Sequence, residues 1–178
     1  MDDQELRDMF IKYQAEQRED EVIWFYRHVE KIKPGVIVEI GIKEGGNLKV
    51  LSSHLDETGI VVGIDVRQEI PWKMDDAKCK VVHIKRNSHD HQAIEDLQGI
   101  IGDRPIDVLF IDGDHTKEGM LQDFKDYESL VRSGGIIAVH DIFYLPSVSE
   151  AWQEVPGNNR HESERNQSSI GIGFIIKE

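Results

Sequence analysis

Five points in this sequence place acids, amides or imidazoles at or close to the carboxyl end of an apolar run: Glu39, Asp65, Asn87-Ser88, Asp112 with Asp114-His115, and His140-Asp141. Carboxylates accept hydrogen bonds from hydroxyl and ammonium groups. An imidazole titrates near neutrality and can take a proton from a hydroxyl. His115 and His140 are therefore rival general bases. Asp112, His140 and Asp141 together could hold a divalent cation, with Mg2+ less comfortable on nitrogen than Mn2+ or Zn2+.

The elements that position these residues start at 36–47, Val-Ile-Val-Glu-Ile-Gly-Ile-Lys-Glu-Gly-Gly-Asn. A β-branched run after Pro34-Gly35 reads as a strand, and Gly41 and Gly45 let the following backbone approach a ligand closely. Asn47 reads as the N-cap of a helix carrying Leu48, Leu51 and Leu55. Asp65 closes a second strand roughly twenty residues on, where a carboxylate can accept both hydroxyls of a ribose. The loop departs from G-x-G-x-x-G, which needs a glycine where Lys43 stands. Glu39 just before it would repel a pyrophosphate and suits an ammonium or a sulfonium, which disfavours NAD.

Further strands are expected over 60–65, 80–85, 107–112 and 135–140, and a last one over 170–176 that could pair with a short edge strand over 160–165. The helices between them ride on Ile94, Leu97 and Ile101, and on Met120, Phe124, Tyr127 and Val131, with Thr116 capping the latter and Ser133-Gly134-Gly135 ending it. A weaker piece lies over 70–77 and a short helix over 149–155. Two amphipathic helices over residues 1–33 carry no chemical motif; they would pack on the sheet, cover the ligand or make a dimer contact, and 34–178 forms the core. The run 16–21 reads as a solvated helix face. Trp24, Trp72 and Trp152 read as packing residues, with Trp72 also able to cover an adenine. The pattern predicts an α/β fold: a Rossmann-like, doubly wound, mostly parallel sheet with helices on both faces and an antiparallel C-terminal strand.

Three stretches resemble the class I S-adenosylmethionine-dependent methyltransferases: the acid-x-Gly-x-x-x-Gly loop with the later Val-Gly-Ile-Asp, the run Val-Leu-Phe-Ile-Asp-Gly-Asp-His-Thr-Lys-Glu-Gly over 108–119, and Leu-Val-Arg-Ser-Gly-Gly-Ile-Ile-Ala-Val-His-Asp over 130–141. They are similar to a small-molecule branch with macrolide-sugar O-methyltransferases and proteins labelled cephalosporin hydroxylase, and more distantly to catechol O-methyltransferases. The resemblance implies S-adenosylmethionine as cofactor. Glu39, Gly41 and Gly45 would hold its methionine end, Asp65 its ribose, and Asn87-Ser88 would lie beside its adenine, with Asp112 near the methyl group. It implies a base at the position of His115 and, in metal-using relatives, a divalent cation (Mg2+, Mn2+ or Zn2+) at Asp112 and Asp141, with His140 replacing an expected acid.

Composition sets the outer bounds. A net charge of −13 argues against a nucleic-acid backbone as partner. The single cysteine, Cys79, fits a reducing compartment, and neither a signal peptide nor a membrane-spanning run is read, so a cytoplasmic protein is expected. The expected partner is a small-molecule acceptor, with a homodimer open. Two other classes stay open on the residues: a nucleotide-sugar or NAD enzyme on the same fold, and a cofactor-binding module without catalysis.

Overall fold

The computed structural model describes residues 1–67 and 76–178. Trp72 and most of the expected piece over 70–77 lie outside them. Helices α1 (Asp3–Lys12) and α2 (Glu19–Ile32) precede β1 (Val36–Ile40), α3 (Gly46–Ser52), β2 (Ile60–Ile64) and β3 (Lys80–Ile84). Then follow α4 (His91–Ile101), β4 (Ile106–Ile111), α5 (Lys117–Tyr127), β5 (Val131–His140), α6 (Pro146–Glu154), β6 (Arg160–Glu162) and β7 (Ile172–Ile176).

One seven-stranded sheet runs in the order β3-β2-β1-β4-β5-β7-β6. β1 to β5 are parallel, β7 is antiparallel to β5, and β6 is antiparallel to β7. The chain winds one way from β1 to β3 and the other way from β4 onward. The carboxyl ends of β1 and β4 therefore border the crevice where such sheets take ligands.

Strand periodicity divides the interior into two layers. Val36, Val38 and Ile40 share one core with Leu97, Phe124 and Trp152, from α4, α5 and α6. Ile37 shares the other with Leu6, Phe25 and Leu48, from α1, α2 and α3. The N-terminal helices thus pack on the sheet: Phe25 meets Phe110 of β4 and Phe174 of β7 at ring separations of 5.3 and 6.0 Å. Trp152 is buried as expected, and its indole N–H donates to Glu162 at 2.7 Å.

Two local expectations fail for physical reasons. The helix carrying Met120 and Phe124 ends at Tyr127, and a 3-10 turn leads straight into β5 at Val131. Val131 pairs with Ile106 and Ile136 with Val108, so β5 accommodates extra residues there. Gly134 (φ +73°) serves that bulge, not a helix end, and its N–H donates to the carbonyl of Lys177. The run 16–21 is solvated at Glu16, Arg18 and Asp20 as expected, but not at its end. Glu21 is buried and accepts from the backbone N–H groups of Ile170 and Gly171, both at 3.0 Å.

At the end of the sheet away from the crevice, Asp107 accepts from the N–H groups of Gly35 and Val36 at 2.7 and 2.8 Å and from Arg132 at 2.5 Å. Asp107→Ala strands both amides and the guanidinium, a loss of about 2–4 kcal/mol. Urea denaturation should show that fall in midpoint with an unchanged slope.

Candidate functional site

β1 carries Glu39 to the crevice end of the sheet on the α3 side, where it is 1% exposed. One carboxylate oxygen accepts from the Asn47 amide at 2.8 Å, and the other is buried with no hydrogen-bond partner among the described residues. Burial pushes this carboxyl up to about 8, against the pull of Asn47 and with the added push of Asp112. A cationic group against the neighbouring wall would relieve that cost. Asn47 is not the N-cap expected from its type. The helix begins at Gly46 after Gly45 (φ +80°), and Asn47, already in the first turn, directs its amide to Glu39.

Gly41 (φ +78°) cannot be replaced by any residue with a side chain at its present position, because a Cβ would fall 2.1 Å from the carbonyl oxygen of Asp112. At Gly41 the loop meets the backbone of the β4 loop directly. Lys43 takes a left-handed conformation (φ +46°) and is held there by Asp65, which accepts from its N–H at 2.9 Å. The second oxygen of Asp65 accepts from Arg67 N–H at 2.9 Å.

A cleft of about 260 Å3 runs between Gly41, Asp65, Asn87, Ser88, Gly113 and Asp114. It borders a second of about 440 Å3, walled by Gly41, Asn47, Asp112, His115, His140 and Asp141. Residues from the ends of β1 to β5 therefore meet along one groove, with Glu39 and Gly45 just behind its wall.

At the far end of the groove four groups interlock. One oxygen of Asp112 lies 3.2 Å from His140 Nδ1 and 3.4 Å from His115 Nε2, and the other accepts from the Gln17 amide at 2.9 Å. Asp141, in a left-handed conformation (φ +64°), lies 3.2 Å from His115 Nε2 and 3.5 Å from His140 Nδ1. Burial would raise Asp112, but His140, His115 and Gln17 hold it down at about 2. Burial raises Asp141 despite His140. Hydrogen bonding to Asp112 raises His115, which is half exposed; burial opposes the rise of His140, but Asp112 and Asp141 outweigh it.

Donor atoms of Asp112, His115 and Asp141 all lie within 4.8 Å of one another. His140, 7% exposed, stands behind them with its Nδ1 toward both carboxylates. Thr116 caps α5 as expected, its hydroxyl accepting from Gly119 N–H at 3.0 Å. Sequence reasoning missed Gln17 and Glu21. Both sit among charged residues, Gln17 in the bend before α2 and Glu21 in its first turn, and no local signal marks either.

Two outcomes follow. Gly41→Ala should fold poorly or lose ligand binding altogether, as seen by thermal melting and calorimetry. Glu39 binds its proton more tightly when folded, so without ligand the protein should lose stability as pH rises from about 4.5 toward 8. Glu39→Gln should flatten that limb in denaturation profiles, and an unaltered slope would refute the assignment.

A family profile described as a methyltransferase domain matches residues 38–142. The chain is 35% identical over 113 residues to protein R132 of Acanthamoeba polyphaga mimivirus, covering 58% of this chain and 50% of the relative. It is 27% identical over 150 residues to ribosomal RNA large subunit methyltransferase E of Methanococcus vannielii, covering 72% and 56%. It thus spans about half the length of the curated relatives it matches. Among solved structures, the MycE methyltransferase of the mycinamycin biosynthetic pathway, in complex with Mg, SAH and mycinamycin VI, superposes with a TM-score of 0.71 at 17% identity, over 97% of this chain and 54% of that one. That likeness speaks for the fold. With the family match spanning β1 to the residues just after β5, the chain belongs to the class I S-adenosylmethionine-dependent methyltransferases.

Proposed function

We propose that this protein transfers a methyl group from S-adenosylmethionine to a hydroxyl oxygen of a small molecule. The observation that carries this reading is the single groove. It places a nucleoside-sized cleft beside Asp65 and Ser88 in line with the cluster of Asp112, His115 and Asp141. The groove fits the cofactor in its own terms. Gly41 lines both clefts without a side chain to narrow them, and the Glu39 oxygen that has no partner among the described residues favours positive charge nearby. When bound, S-adenosylmethionine supplies an already activated methyl group, so orientation provides much of the rate.

The chain's own residues do the rest. Asp65 would receive the ribose hydroxyls, and Asn87 and Ser88 would border the adenine. The Asn87 side-chain oxygen already accepts from His89 N–H at 3.0 Å, leaving its amide hydrogens free for a base. His115, exposed to the groove, takes the acceptor's proton, and Asp112 and Asp141 hold the resulting imidazolium. A neutral imidazole is required, so the rate should rise with pH through the raised titration of His115 and then level off. His140 is the rival base.

The grouping of Asp112, His115 and Asp141 also favours a second reading, in which they hold a divalent cation that lowers the hydroxyl's pKa. Two carboxylates and an imidazole suit Mn2+ or Zn2+ better than Mg2+. MycE was solved with Mg.

The relative from Methanococcus vannielii acts on ribosomal RNA by its name, but a net charge of −13 on this chain argues against a phosphate backbone as its partner. Among the described residues no helix is long and apolar enough to cross a membrane.

Calorimetry with S-adenosylhomocysteine tests the first step, and no binding at millimolar ligand by the folded protein would end this reading. His115→Ala should keep that affinity while lowering turnover about 10²- to 10⁴-fold. Loss of turnover in EDTA, restored by Mn2+, would select the cation reading over the base.

A further inference from the structure

Asp123 lies in the middle of α5 with no exposed surface, and neither of its carboxylate oxygens completes a hydrogen bond among the described residues. A buried acid left this way is unfavourable unless a nearby group compensates it. Two groups face it: the Ser88 side chain, and His89, whose Nε2 lies 3.3 Å from one carboxylate oxygen and 3.2 Å from the carbonyl oxygen of Gly119. Both of those oxygens are acceptors, so Nε2 carries the hydrogen in either case.

Asp123 belongs to a face of α5 that repeats every fourth residue: Gly119, Asp123, Tyr127. Each of the three meets a wall of the nucleoside-sized cleft. The Tyr127 hydroxyl donates to the carbonyl of Ser88 at 2.8 Å. A Cβ on Gly119 would fall 2.2 Å from the carboxyl carbon of Asp114, and one on Gly113 would fall 3.4 Å from Asp123 itself. The backbone N–H of His89 in turn holds the Asn87 side chain at 3.0 Å. The two walls of the cleft, the 87–88 turn and the 113–114 turn, are thus joined behind by one helix face with Asp123 at its centre.

We propose that Asp123, acting through His89, is a positioning residue for the nucleoside half of the cofactor, setting the 87–88 turn against the 113–114 turn without touching the ligand. This rests on the reading that the groove takes S-adenosylmethionine. Charge on Asp123 holds the imidazole of His89, and with it Asn87, in place; protonation releases that hold. Burial pushes the carboxyl up to about 6, against the pull of Ser88 and His89 and with the push of Asp114 and Asp126, and Tyr127 is the remaining titratable neighbour on the same face. The release therefore falls within an accessible pH range.

The test is calorimetric, with S-adenosylhomocysteine and with methylthioadenosine, which keeps the nucleoside and lacks the amino-acid end. Asp123→Asn should weaken both ligands by a similar factor, about tenfold, while turnover at saturating cofactor stays within about twofold of the parent. The ratio of parent to variant affinity should shrink toward one as pH falls from 7 to 5. His89→Ala, which opens no core cavity, should give the same loss for both ligands. If the parent binds S-adenosylhomocysteine and both variants bind it equally well, or if the ratio is independent of pH, the positioning role is refuted while the cofactor reading stands. If the parent binds neither ligand, both fall together.

Discussion

The site depends on one close approach, where the backbone of the β1 loop meets the backbone of the β4 loop. Asp112 N–H donates to Ile40 O at 2.8 Å and Gly41 N–H to Ile64 O at 2.9 Å, so three adjacent strands extend their ladders by one residue into the loops. Packed backbones of this kind leave no room for a side chain, which is why Gly41 is fixed by sterics as well as by its positive φ. From this junction Asp65 is placed on one side, Asp112 on the other, and the groove follows the line between them. Displacing either loop would move both the nucleoside end and the proposed chemistry.

Charge is distributed unevenly along that line. Glu39 and Asp112 leave neighbouring strands and influence each other, yet they are driven in opposite directions. Asp112 is held by two imidazoles and an amide, whereas Glu39 has one amide hydrogen bond and is more completely buried. Two carboxylates in one buried region cannot both ionise cheaply, and the surroundings decide which one does. The ionised acid lies where proton transfer or cation binding is proposed, and the reluctant one lies where positive charge would be welcome.

Much of this was legible in the sequence because the signals were periodic or steric. The β-branched runs gave the strands, and an acid, amide or histidine at each strand end gave the groove. The two loop glycines gave the turn at its centre. What escaped detection depended on pairing across the fold. Asn47 looks like a helix cap by type, and only the buried Glu39 beneath it explains why it is not one. Gln17 and Glu21 sit in a run of charges that reads as solvated, because nothing local says that the 170–171 turn and Asp112 lie above them. Gly134 has the look of a helix stop, but its ladder partners make it a bulge. His89 belongs to no local motif, and its contacts lie on α5, far along the chain.

The left-handed turn at Lys43 has a wider meaning. Its backbone already occupies the region that glycine enters freely, between Gly41 and Gly46. A glycine at that one position would spell the G-x-G-x-x-G of dinucleotide-binding proteins with the main chain hardly moved. The path of this loop is thus shared ground between two cofactor types. What separates them here is carried by side chains: a buried, half-satisfied carboxylate beneath the loop, and a lysine held in a conformation it would not choose.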